Sequence, residues 1–226
     1  MAGLEEGKSM RQFDFYEFTG VITPGVVILA AASFVWPDYL GNVKRLDVSM
    51  GGLGLAVMLA YVSGHLLQAL GNLLEDGWWW LVGGKPSDWP RSQKHHLLAD
   101  AQQERLQEQI RCRLGLNEFV FDANLPANHW QSIFQQIYAA VRAENRQERA
   151  FTFLGNYGMF RGIAAAALVA AVILLIVQGF SVWPTVITFL SVLALAIYRM
   201  HRFAVHYARE TFVQFLQLPS ANGVTK

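Results

Sequence analysis

The sequence predicts an all-α integral membrane protein, with four transmembrane helices and a helical cytoplasmic domain between the second and third. Three observations predict it. Only 15% of the 226 residues are charged and 53% are hydrophobic, where a soluble domain averages about 25% charged. Four long apolar runs punctuate the chain. Lysine and arginine gather in the segments that would lie on one side of the membrane.

A helix needs about 20 apolar residues to cross a hydrocarbon core some 30 Å thick. The stretch before the first run, residues 1–17, is read as a cytoplasmic aromatic anchor, with Phe13, Phe15, Tyr16 and neighbouring Phe18 at headgroup depth. The first run, 18–36, has no charge and places Pro24 near its start, where a missing N–H is tolerated. Glu5, Glu6, Asp14 and Glu17 make a poor positive region for a secretory signal, so this run is read as an anchor. The second begins near Val48 and stays uncharged until Glu75; together the first pair occupies residues 18–83. The third, 162–180, is the most apolar part of the chain. A short linker leads to the fourth, 182–200, and Pro184 belongs in that turn or in the first turn of the last helix. The second pair occupies 161–200.

Lys85, Arg91, Lys94, Arg105, Arg111, Arg113, Arg142, Arg146, Arg149 and Arg161 lie between spans two and three. Arg199, Arg202, Arg209 and Lys226 follow span four, and only Lys44 and Arg45 fall on the other side. The positive-inside rule then puts both termini and the middle segment in the cytoplasm.

Residues 84–160 have a different, polar and glutamine-rich composition, and are too few to hold a large core unaided. Leu98, Ala101, Leu106, Ile110 and Leu114 recur at helical spacing and predict an amphipathic helix ending near Gly115. A short extended or loop segment over 117–126 follows. Pro126 opens a second helix with Trp130, Ile133, Phe134, Ile137, Tyr138 and Val141 on its apolar face. No strong breaker separates this helix from the third span, so one uninterrupted stalk is expected. Residues 201–226 continue helically as an amphipathic tail until Pro219.

The most specific polar feature is the string GHLLQALGNLLE. His65, Gln68, Asn72 and Glu75 are spaced by three, four and three, so they share one side of a helix. Polar groups are costly in lipid, so the stripe must face a partner helix, a cavity or a pore. Two readings stand: structural glue between helices, with Gly64 and Gly71 permitting close approach, or the lining of a pore, ligand site or proton path. Trp78, Trp79 and Trp80 read as an interfacial anchor rather than a stacking platform. If they mark the interface, His65 lies roughly 20 Å deeper, near the midplane.

A second group, Arg199, Arg202, His206 and Arg209, forms a cytoplasmic basic cluster. The spacing from Arg199 to His206 is similar to a motif of HEPN ribonucleases, but positive-inside anchoring is the preferred reading. His95, His96, Cys112 and His129 match no metal-ligand spacing, so no metal or cofactor is expected. The single cysteine excludes an intrachain disulfide. No phosphate-binding loop, nucleophile elbow or zinc-protease signature occurs, and no enzyme is expected. A net charge of +1 gives no field for nucleic acid, so no nucleic-acid partner is expected.

At DFYEFTGVITPG, GHLLQALGN and FLGNYGMFRG the chain resembles uncharacterised bacterial multi-pass inner-membrane proteins of the phage-defence membrane-effector type. The matching pieces cover about a quarter of the sequence. The resemblance implies an inner-membrane effector that perturbs membrane integrity or conducts ions when its cytoplasmic domain senses a partner protein or signal. Four spans enclose little space, so a homo-oligomer in the bilayer is expected. The alternative is a non-conducting scaffold that recruits a cytosolic protein.

Overall fold

The computed structural model describes residues 17–36, 50–92 and 95–219. The aromatic anchor up to Tyr16, the loop charges Lys44 and Arg45, Lys94 and the tail residue Lys226 lie outside them. Among the described residues every regular element is helical.

A π-helical turn, Glu17–Ile22, leads into α1, Thr23–Val35, where Pro24 has no N–H to give to the Gly20 carbonyl four residues back in that turn. Helix α2 is Met50–Val82; after a 3-10 turn at Pro86–Asp88 come α3, Trp89–Ser92, and α4, Asp100–Leu114. Then follow α5, Ala127–Ala143, α6, Glu148–Gln178, a 3-10 turn at Gly179–Val182, and α7, Trp183–Leu216. Three helices are long and apolar enough to cross a membrane: Gly51–Val82, Glu148–Gln178 and Trp183–Leu216. The first apolar segment, Phe18–Ser33, is shorter.

The chain divides into two compact units, Met1–Trp78 with Gly155–His201, and Trp79–Leu154 with Arg202–Lys226. In the first, α6 is the most buried of the long helices because its inner surface is alanine: Ala164, Ala165, Ala166, Ala167, Ala170 and Ala171. Small side chains let helix backbones approach closely. A Cβ on Gly25 of α1 would fall on the carbonyl oxygen of Ala60 in α2, and one on Gly64 of α2 would fall on that of Val21. Gly64→Val therefore separates the π-helical turn from α2 and destabilises the solubilised protein by about 1–3 kcal/mol. Thermal unfolding in detergent measures it, and an unchanged midpoint would mean the contact is absent. Ala171, Leu174 and Val186 join α6 to α7.

The second unit is built around Trp130 of α5. Leu106 and Ile110 of α4, Ile133, Ile137 and Val141 of α5, and Phe212 and Phe215 of α7 are all buried with it. The segment read from sequence as a tail thus supplies aromatic residues to the core, which is how so few residues close one. Helix α4 ends where expected, at Gly115 with φ 69°, a left-handed cap that favours glycine. The loop after it is pinned by polar side chains: Arg111 Nε–H donates to the Phe119 carbonyl at 2.6 Å and Gln107 Oε1 accepts from the Phe121 N–H at 3.0 Å. Burial pushes the Asp88 carboxyl above the ordinary carboxylate range, opposed by the charges of Arg91 and Lys85.

One expectation is corrected. The helix from Ala127 does not run unbroken into the third span, because α5 stops at Ala143 and α6 starts at Glu148. Asn145 is left-handed at φ 56°. The Asn145 N–H donates to the Arg142 carbonyl at 3.0 Å and the Arg146 N–H to that of Val141 at 3.1 Å. That pair of bonds is a Schellman end, with asparagine in the position glycine usually takes.

Candidate functional site

The site is built on Gln68, in the first unit. Its Nε2 donates to the Gly158 carbonyl of α6 at 3.0 Å and to that of Gly20, in the π-helical turn. A π turn leaves the register of ordinary helical bonding, and glycine at 20 and 158 presents carbonyls with no side chain in the way. Gln68 Oε1 accepts from Arg161 Nη2 at 2.6 Å and Nε at 3.1 Å. The third nitrogen, Arg161 Nη1, donates to Glu75 Oε2 at 2.6 Å.

Both N–H groups and both acceptor positions of the Gln68 amide are therefore used. Turned over, the amide would aim its N–H groups at the guanidinium, so the partners themselves fix its orientation. Side-chain exposure is 16% for Arg161 and 8% for Glu75. Two opposite charges neutralise each other inside an apolar bundle, and the guanidinium also lies 5.8 Å from the Tyr157 ring. Glycine makes the room again, since a Cβ on Gly71 would meet Arg161 Cγ at 2.9 Å, and one on Gly162 would meet Gln68 Nε2 at 3.2 Å. The arrangement ties three helices with one amide and one ion pair.

The four stripe residues are thus divided by the fold. Gln68 and Glu75 meet Arg161, whereas His65 and Asn72 are exposed on α2. The His65 ring stands edge-on to Tyr61, with centroids 4.6 Å apart. The tryptophans also diverge: Trp78 Nε1–H donates to His201 Nδ1 at 3.2 Å, Trp79 is buried, and Trp80 is 82% exposed.

The basic cluster is distributed over separate contacts. In the first unit the Arg199 guanidinium lies 5.4 Å from the Phe160 ring. In the second, His206 packs on Phe153 with centroids 5.4 Å apart, Arg209 Nε–H donates to the Leu97 carbonyl at 3.2 Å, and Arg202 is exposed. His95 and His96 border a cleft of 480 Å³ with Asp100 and Glu104, and His129 lines another of 650 Å³ with Glu118 and Asp122. Among the described residues no three metal-ligating side chains converge.

Sequence reasoning counted Arg161 as one loop charge among many and missed its role. The available signal was its position, a lone cation directly before an uncharged run that starts at Gly162, with two polar residues seven apart on another apolar helix. No protein family, curated protein or solved structure matches the chain.

Proposed function

We propose that the protein is a four-span inner-membrane effector of bacteria, with both termini and the second unit in the cytoplasm, that acts as a homo-oligomer. A partner protein or signal met by the second unit raises the permeability of the membrane. The observation that supports this most is the set of ionisable and hydrogen-bonding side chains, Glu75, Arg161, Gln68, His65 and Asn72, on helices otherwise apolar enough to cross a bilayer. Such residues are expensive in lipid and mark function by default. A first span is supplied by the π turn with α1, which together approach the thickness of the hydrocarbon core. The basic residues of 85–161 and 199–226 favour the cytoplasmic side.

In this reading the Gln68, Arg161 and Glu75 cluster holds the bundle in its resting arrangement, and His65 and Asn72 are the groups left to line an opening. The test is membrane potential in cells expressing the intact chain or a His65→Ala, Asn72→Ala variant with matched insertion. Both substitutions fall on positions exposed in the single chain, so packing within the chain is spared. Depolarisation by the intact chain and its loss in the variant are expected. Equal depolarisation by both would sink the role given to these residues.

A second reading, a non-conducting scaffold, is favoured by the complete engagement of Gln68 within one chain. It expects no depolarisation from either protein and a specific cytosolic protein retained by the second unit.

A further inference from the structure

We infer that the face of α2 bearing His65, Ala69 and Asn72 is the surface on which a second copy of this chain docks within the membrane. The inference rests on the proposed membrane effector and names the surface by which copies meet in the resting state, before His65 and Asn72 line an opening.

At 100° per residue, Tyr61, His65, Ala69, Asn72 and Asp76 fall within an arc of about 80° on α2. All are exposed. The surface packed inside the chain, at Ala60, Gly64, Leu67 and Glu75, adjoins this arc, centred about 120° round the helix from it. His65 and Asn72 make no side-chain hydrogen bond among the described residues, although both sit in a helix flanked by outward-facing Leu66 and Leu73. An amide and an imidazole turned toward hydrocarbon carry a desolvation cost that a partner's polar groups remove.

The chemistry of the two residues selects the partner. Copies of one chain insert with the same orientation, so a two-fold axis along the bilayer normal brings identical residues together at identical depth. A carboxylate or an ammonium would repel its own copy there. Asparagine and neutral histidine each carry a donor and an acceptor, and so each complements itself. Ala69 lies between them and lets the helices approach closely at the crossing.

Full-length protein carrying Cys112→Ser and one new cysteine is oxidised in native membranes. Ala69→Cys should give a disulfide-linked dimer. Leu70→Cys, exposed but rotated about 100° away, should give several-fold less. Adding His65→Leu or Asn72→Leu to Ala69→Cys should lower the dimer yield about threefold each, the equivalent of about 0.6 kcal/mol per intramembrane hydrogen bond. The inference is overturned by equal or greater crosslinking at Leu70→Cys, by absence of dimer, by a crosslink to a different protein, or by a dimer indifferent to both leucine substitutions. Depolarisation without this dimer would overturn the interface and leave the effector reading standing. The dimer without depolarisation would do the reverse.

Discussion

Arg161→Met lowers the stability of the solubilised protein by about 3–5 kcal/mol, because it leaves the Glu75 carboxylate buried without its counter-charge. Adding Glu75→Leu returns most of that loss. What remains is the cost of Gln68 Oε1 stripped of its donors, about 1–3 kcal/mol. The reasoning is the usual asymmetry of buried pairs: their net worth is small, but one partner alone is expensive. The geometry sharpens the prediction for the conservative change. Arg161 reaches Gln68 with Nε and Nη2 and Glu75 with Nη1, a planar fork that a lysine ammonium does not reproduce. Arg161→Lys keeps the counter-charge but loses the fork, and should therefore fall between Arg161→Met and the parent. Thermal or denaturant unfolding of the four proteins of the Arg161 and Glu75 cycle gives the coupling energy directly. Additive single effects would show that the pair does not form in the protein.

Hydropathy made the long apolar helices legible, since a charge-free run of span length has few alternative structures. Local cap chemistry made α4 and α5 legible in the same way, through Gly115 at one end and Pro126 at the other. The break between α5 and α6 was not legible, because Asn145 is an ordinary surface residue until its backbone turns left-handed and two carbonyls find donors there. The π-helical turn at Glu17–Ile22 leaves no mark in periodicity either. It matters, because it presents the Gly20 carbonyl to Gln68.

The polar stripe shows where helical spacing stops informing. A period of 3.6 places His65, Gln68, Asn72 and Glu75 together, yet an arc that wide straddles the edge between packed and exposed surface. Gln68 and Glu75 fall on one side of that edge and His65 and Asn72 on the other. Which side each takes depends on Arg161, more than 80 residues away in sequence. The same holds for Phe212 and Phe215: their amphipathic spacing was visible, but not that α4 and α5 lacked a core until these rings completed it.

Trp130→Ala should cost the second unit about 3–5 kcal/mol, the range for truncating a buried large aromatic. The indole is wholly buried, stacks on Phe119 with centroids 6.3 Å apart, and touches Phe121 and Phe212 at 5.7 and 6.3 Å. Its Nε1–H donates to the Ser87 carbonyl at 2.8 Å, which ties the 3-10 turn to α5. A small domain has only about 5–15 kcal/mol in total, so the loss removes a large fraction of its folded population's margin. Trp130→Phe keeps most of the ring contact but forfeits the hydrogen bond, and should fall between. Hydrogen exchange over residues 97–143 reports the opening, and parent-like protection in Trp130→Ala would show that the core is not centred on this residue. The same variant bears on the proposed function. If the second unit is where the triggering partner is met, Trp130→Ala should abolish the permeability response while the apolar unit still inserts, whereas a response that survives an opened second unit would place the trigger within the spans.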